Sequence, residues 1–237
     1  MIQATNLKKA YNGTTVLNIE HLEIPKGQSF GLIGNNGAGK TTFFSLLLDL
    51  IQPSTGKITS KEIQINKSEE WKKFTSSFID ESFLIGYLTP EEYFYFIGDL
   101  RGWNKSDVDD FLKKHEEFFN GEILNNKKYL RDLSKGNAKK AGIIGALIGN
   151  PEVIILDEPF ANLDPTTQIR LKKIIKELAE DKNTTVLVSS HDLQHTIEVS
   201  DRILVLQKGE IVKDIETSLE TLKELEAFFF FFLDKKQ

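Results

Sequence analysis

Cysteine is absent from the 237 residues and methionine occurs once. No disulfide framework and no thiolate metal site can be built, and a chain of this length can bury a sizeable core without either. Long hydrophobic runs are missing as well. The longest uninterrupted apolar stretch, Ala227 to Leu233, falls far short of the ~20 residues that a helix needs to cross a bilayer. Residues Met1 to Gly13 contain no apolar segment of the secretory type, which predicts a chain kept inside the cell. Nor is there an excess of positive charge. Thirty Lys and Arg against 35 Asp and Glu leave a formal net charge of −5, and no basic block resembles a track for a phosphate backbone, so nucleic-acid binding is not expected.

What is present is strand signal towards both ends and helix signal between. Val16 to Ile24 is mainly apolar and half alternating, Pro25-Lys26-Gly27 makes a turn, and Ser29 to Ile33 reads as a buried strand. Thr41 to Ile51 predicts a helix stopped by Pro53 and Gly56, with short strand-like pieces up to about Asn66. From about Phe83 to Asn150 the pattern is helical, with Pro90 near one start and Ser106-Asp107-Val108-Asp109 resembling a capping box. Strands resume at Val153 to Leu156, apolar throughout as a parallel strand covered on both faces requires. Asp164-Pro165 opens another helix. Thr185 to Ser189, Ile203 to Leu206 and Ile211-Val212 follow as strands, the last two joined through Lys208-Gly209.

This alternation predicts an α/β fold with a largely parallel sheet, an antiparallel N-terminal part and an inserted α-helical subdomain. The expected division is a single domain with a core of residues 1–82 and 151–215, a helical subdomain of residues 83–150 and a C-terminal helix within residues 216–237. In that last helix Leu219, Leu222, Leu225, Phe229 and Phe232 recur at helical spacing. It either covers the domain's own core or a dimer contact, or docks on a membrane surface or partner.

Two motifs carry chemistry. Gly34-Asn35-Asn36-Gly37-Ala38-Gly39-Lys40-Thr41, followed by Thr42, fits the P-loop pattern G-x-x-x-x-G-K-[ST] between a strand and a helix. Its glycines let backbone N–H groups converge on phosphate oxygens, the helix N-terminus adds positive potential, Lys40 reaches the β and γ phosphates, and Thr41 can hold Mg²⁺. Val153 to Leu156 then delivers Asp157 and Glu158 to the C-terminal end of a buried strand, where open α/β sheets bind ligands. Asp157 suits Mg²⁺, and Glu158 could polarise a water for attack on the γ phosphate. His191 and His195 have the spacing of a helical zinc pair, but His191 falls at a strand end and Asp192 replaces the glutamate of that motif, so no metal pair is expected.

Leu133-Ser134-Lys135-Gly136-Asn137 lies between the two motifs. By itself a Leu-Ser-x-Gly tetrapeptide reads as a helix N-cap. In this order it resembles the L-S-G-G-Q or L-S-x-G-x signature of the ATP-binding cassette ATPases, and the resemblance covers nearly the whole chain. Tyr11 sits where that family stacks an aromatic residue on adenine, Ala161-Asn162-Leu163-Asp164 resembles its D-loop, and His191 resembles its switch histidine, which hydrogen-bonds the γ phosphate. Two positions depart from the pattern. Glu81 stands where the Q-loop glutamine is expected, with Asp80 a rival for the position, and a carboxylate there accepts hydrogen bonds but cannot donate them. The signature ends in Lys135-Gly136-Asn137 in place of G-G-Q, which adds a cation.

The resemblance implies a Mg²⁺-dependent ATPase. ATP would contact the P-loop from Gly34 to Thr42, Tyr11, and Ser134, Lys135, Gly136 and Asp164. Mg²⁺ would be held by Thr41, Asp157 and Glu81, and Lys40, Glu81, Glu158 and His191 would serve catalysis. It further implies a head-to-tail homodimer or heterodimer, each ATP lying between the P-loop of one subunit and the signature of the other. The integral membrane permease would be a separate chain, which places the ATPase at the cytoplasmic face of the membrane. Leu88-Thr89-Pro90-Glu91-Glu92-Tyr93 and Asn162-Leu163-Asp164-Pro165 look most like the ATPases of bacterial drug-resistance, antibiotic-resistance and sodium-efflux exporters. The alternatives are a soluble cassette ATPase acting on ribosomes or nucleic acid, whose usual second cassette or coiled-coil insertion is not seen, and a regulatory subunit with little turnover, against which Glu158 argues.

Overall fold

The computed structural model describes residues 1–180 and 182–234, and side chains up to residue 230. The chain opens with a hairpin of β1 (Ile2–Tyr11) and β2 (Thr14–Ile24). Its two-residue turn, Asn12-Gly13, has positive φ at both residues (49° and 81°), the backbone that a tight antiparallel hairpin favours and that Asn-Gly supplies at least cost. After β3 (Ser29–Ile33) and α1 (Lys40–Leu47), β4 (Thr55–Ser60) and β5 (Ile63–Gln64) complete a four-stranded antiparallel sheet in the order β2-β1-β4-β5.

The second sheet gathers β6 (Thr75–Phe78), β7 (Val153–Asp157), β8 (Thr185–Ser190), β9 (Arg202–Gln207) and β10 (Glu210–Glu216) around β3, in the order β10-β9-β3-β8-β7-β6. Pairing is parallel from β9 to β6 and antiparallel at β10. Every residue of β3, β7 and β8 is buried, as uninterrupted apolar runs require when helices cover both faces.

Between β6 and β7 lie α2 (Pro90–Leu100), α3 (Lys105–Lys114), α4 (Glu116–Phe119) and α5 (Lys135–Leu147). After β7 come α6 (Pro165–Glu180), α7 (Leu193–Val199) and α8 (Thr221–Asp234). No helix among the described residues is long and apolar enough to cross a membrane.

Several local expectations shift. The capping box of α3 is built two residues earlier than the sequence suggested. Asn104 accepts from the Asp107 amide at 3.1 Å while Asp107 accepts from the Asn104 amide at 2.9 Å, and Ser106 already lies inside the helix. β6 has no sequence signal of its own, because Thr75-Ser76-Ser77-Phe78 offers one large apolar side chain. Its place at the sheet edge is secured from outside, where Arg101 at the end of α2 donates to the carbonyls of Lys72 and Lys73, both at 3.0 Å, and of Thr75 at 2.6 Å. Burial at this anchor pushes the Arg101 pKa down.

The C-terminal helix covers the chain's own core. Leu225 is fully buried with Ile33, Ile203 and Val205, and Phe228 and Phe229 pack against the same cluster, whereas Leu219 precedes the helix and is wholly exposed. The Phe232 position of the expected pattern lies outside the described side chains. Leu225→Ala should therefore lower unfolding stability by about 2–5 kcal/mol, the usual cost of a buried Leu truncation. Urea unfolding with a turnover measurement on the folded fraction checks this: stability falls and turnover per folded molecule holds.

Candidate functional site

The sheet order decides what meets at its C-terminal edge. β3 ends at Ile33 and runs into the P-loop, β7 ends at Asp157, and β8 between them ends at Ser190, so three loops converge on one rim. Gly39 takes φ 109° at the N-cap of α1 and Gly37 takes φ 79°, a left-handed region that glycine enters without steric penalty. The loop folds back through the Ala38 amide, which donates to the Asn35 carbonyl at 3.0 Å. It is also propped from outside. The Gly209 amide donates to the Ala38 carbonyl at 2.9 Å, the Asn18 amide donates to the Gly209 carbonyl at 2.7 Å, and a Cβ on Gly209 would stand 2.4 Å from the Val16 carbonyl oxygen.

Lys40 is buried, 6% exposed, and its ammonium has two partners: it donates to the Gly34 carbonyl at 2.7 Å and pairs with Glu158 Oε1 at 3.3 Å. Thr41 Oγ1 donates to Asp157 Oδ2 at 2.6 Å, and Ser189 Oγ donates to Asp157 Oδ1. Burial pushes the Asp157 carboxyl above its ordinary range against the pull of these two hydroxyls. A hydroxyl beside a carboxylate is a pair of hard oxygen donors, the set that suits Mg²⁺ when phosphate oxygens and water complete the shell. No group of three or more His, Cys, Asp or Glu side chains that could hold a metal ion occurs among the described residues.

Glu158 has an unusual backbone, with φ 46°, which costs a non-glycine residue on the order of 1–3 kcal/mol. Its amide donates to the Ser189 carbonyl at 3.1 Å and Ser189 Oγ at 3.2 Å, and its carbonyl accepts from Lys139 Nζ at 2.9 Å. The carboxylate is shared: Oε1 faces Lys40, and Oε2 lies 2.8 Å from His191 Nδ1 and accepts from the His191 amide at 3.3 Å. Ser189, Ser190 and Lys139 are the residues that sequence reasoning passed over. A Ser-Ser pair closing a buried strand is a readable signal of polar work at that strand end, whereas Lys139 has none.

Tyr11, Val16, Asn36 to Thr42 and Glu158 line a cleft of about 360 Å³. Tyr11 is 48% exposed at its rim, with Lys9 Nζ 4.7 Å above the ring. Gly34, Asn35, Asn36, Gly37, Ala38, Gly39, Lys40, Thr41 and Thr42 are thus grouped with Tyr11, Asp157, Glu158 and His191. The signature residues stand elsewhere. Ser134 caps α5 by accepting from the Asn137 amide at 3.2 Å, Ser134 and Lys135 face solvent, and Gly136 approaches the Asn162 carbonyl so closely that a Cβ would stand 2.9 Å from it. Asp164 spends both oxygens on Thr167, at 3.0 Å to its amide and 2.5 Å to its hydroxyl, and these bonds lower its pKa.

Glu81 Oε1 lies 3.6 Å from Lys139 Nζ, and Asp80 accepts from the Ser82 amide at 2.8 Å, a contact that lowers the Asp80 pKa. His191 and His195 do not share a helical face: His191 follows β8, and His195, in α7, packs its ring 5.1 Å from that of Phe160.

Comparison with known proteins gives the arrangement a family. The profile of the ABC transporter family matches residues 17–161, more than half of the chain. The bacitracin transport ATP-binding protein BcrA of Enterococcus faecalis is 33% identical over 225 residues, covering 92% of this chain and 70% of that protein. The lantibiotic transport ATP-binding protein SrtF of Streptococcus pyogenes is 32% identical over 230 residues, covering 95% of each. Among solved structures, a dimeric ATP-binding cassette in a post-hydrolysis state with ADP and phosphate superposes with a TM-score of 0.79 at 24% identity, over 92% of this chain and 99% of that one. With the P-loop, the Asp157-Glu158 strand end and the signature in their expected order, the chain belongs to the ABC transporter family and is an ATP-binding, ATP-hydrolysing cassette.

Proposed function

We propose that this ATPase drives a membrane exporter whose membrane-spanning part is a separate chain, working from the cytoplasmic face as a head-to-tail dimer. The observation that carries the reading is the convergence of Lys40, Thr41, Asp157 and Glu158 on one sheet edge while Ser134, exposed at the start of α5, is not among the residues that line the cleft beside Lys40, Thr41 and Glu158. An exposed signature that does not line the cleft of its own P-loop supports a role in completing the site of a second subunit. The transport roles named for the bacitracin and lantibiotic relatives support export. A groove of about 320 Å³ lined by Leu48, Leu50, Trp71, Phe83, Leu84 and Tyr93 among others, with Leu50 and Phe83 47% and 63% exposed, offers an apolar seat for the membrane chain.

In this site Thr41 and Asp157 would hold Mg²⁺, which neutralises charge on the phosphate oxygens when bound. Lys40 reaches the transferred phosphate by exchanging its contact with Glu158 for phosphate oxygen. Glu158, released from that ion pair, accepts the proton of the attacking water. His191 keeps its hold on the Glu158 carboxylate and, as the switch histidine of the family pattern, would report the presence of the γ phosphate. The chemistry is phosphoryl transfer to water, helped by positioning and charge.

Co-purification tests the assignment. Tagged chain recovered from detergent-solubilised membranes should bring down a polypeptide with several bilayer-length apolar segments, and recovery only from the soluble fraction refutes the transporter reading. Tyr11 gives a second test. Stacking uses the π face and little base-edge information, so Tyr11→Ala should weaken ATP and GTP binding by similar factors, roughly 5- to 30-fold for the ~1–2 kcal/mol of a lost stack. Titration with fluorescent nucleotides reads this, and an unchanged affinity leaves Tyr11 as a turn residue.

A further inference from the structure

Lys139 is a lysine with 5% of its surface exposed, and the reaction as described makes no use of it. It sits one turn into α5, the helix that Ser134 caps. Its ammonium donates to the Glu158 carbonyl at 2.9 Å, faces Glu81 Oε1 at 3.6 Å and lies 5.9 Å from the centre of the Phe78 ring. Glu81 Oε1 is itself buried and has no hydrogen-bond partner. A buried cation is tolerated when an opposite charge and a hydrogen-bond acceptor share it, and here the acceptor is the backbone of the residue at the centre of the site.

We propose that Lys139 and Glu81 form a positioning pair that holds the backbone of Glu158 in its left-handed conformation. Three observations converge on this. Glu158 has φ 46°, which a side chain-bearing residue keeps only when its surroundings over-determine it. Ser189 fixes its amide side and Lys139 its carbonyl side. The charge that makes Lys139 tolerable comes from Glu81, its ion-pair partner at 3.6 Å. Glu81 would then act through the ammonium and not as a ligand of the nucleotide or Mg²⁺. Because Lys139 belongs to the signature helix and Glu81 to the segment after β6, the pair also ties the conformation of Glu158 to the seating of α5 against the sheet.

The inference rests on Glu158 being the catalytic carboxylate, and the two ideas fail separately: Glu158→Gln tests that role, and the following variants test the pair. Lys139→Met removes the donor and the charge while keeping length. It should lower kcat by roughly ten- to a hundredfold, the scale on which small misplacements of a reacting group are felt, with affinity for ATP in the absence of Mg²⁺ within twofold of wild type. Lys139→Gln retains one donor for the carbonyl and should lose less. Glu81→Gln should lower kcat with the half-saturating Mg²⁺ concentration unchanged, and in the Lys139→Met background it should add less than twofold. Nucleotide affinity by fluorescence titration and melting temperature are read beside turnover. The pair is overturned if Lys139→Met keeps kcat within twofold, or if the losses of the two variants simply multiply. A shift in the Mg²⁺ requirement of Glu81→Gln makes Glu81 a ligand and equally overturns it. That last measurement needs only the Glu81 variant, so it decides the matter even where Lys139→Met does not fold.

Discussion

Glu158→Gln is expected to bind ATP with near wild-type affinity and to lose turnover by on the order of 10²–10⁴-fold, the usual worth of a positioned general base. The amide is nearly isosteric with the carboxylate, and the contacts that fix the main chain, Ser189 on the amide and Lys139 on the carbonyl, involve no side-chain atom of residue 158. What the substitution removes is the negative oxygen facing Lys40 at 3.3 Å and the one 2.8 Å from His191 Nδ1. Proton acceptance by an amide is negligible at neutral pH, so kcat collapses while the phosphate grip of the P-loop remains. Filter-binding of labelled ATP beside a phosphate-release assay separates the two quantities. Turnover within a few-fold of wild type shows that another group activates the water.

The second large effect concerns where the active site is assembled. Lys40→Ala removes the buried phosphate cation and should lower turnover by about 10²–10³-fold, the loss typical of deleting one preorganised electrostatic contact to a developing charge. Ser134→Arg should be comparably inactive under the proposed arrangement, because it places bulk and a mispositioned charge where the signature would meet the nucleotide. If Ser134 serves the P-loop of another subunit, a mixed dimer of the two variants carries both lesions in one composite site and none in the other. Mixing the inactive proteins after subunit exchange should then restore a sizeable fraction of ATPase activity. Wild type mixed with a chain carrying both substitutions places one lesion in each composite site of the mixed dimer, so that mixture loses more activity than dilution alone accounts for. If each chain held a complete site, every subunit in the first mixture would carry a lesion and activity would stay absent. That result would remove the shared-site arrangement.

The parts of this site that are legible in the sequence are those whose physics is local. Gly37, Gly39, Lys40 and Thr41 fall within five consecutive residues, and their job is fixed by one turn of backbone between a strand and a helix. Asp157-Glu158 follows an uninterrupted apolar run, so the strand announces both itself and its polar end. Ser134 is readable twice, as an N-cap and as part of the signature, and the structure shows the cap directly. Other features depend on groups distant along the chain. β6 exists because Arg101 and β7 hold it, and Thr75 to Phe78 contain no trace of that. Lys139 looks like any lysine on a helix, and nothing in its neighbours reveals that it ends under Glu158, 19 residues later. Ser106 offers cap chemistry in the sequence, but Asn104 is the residue that caps α3, with Asp107 completing the box.

The support of the P-loop by the β9–β10 turn has a consequence for how nucleotide capture can be lost. Gly209 is not among the residues that line the cleft beside the P-loop, yet it is wedged between Val16 and the Ala38 carbonyl with no room for even a methyl group. A random screen for chains that fold but no longer retain ATP should therefore recover substitutions at Gly209, some 170 positions downstream of the glycine-rich motif. Such chains would carry an intact motif on a displaced foundation. Inspection of the motif alone would score them as competent.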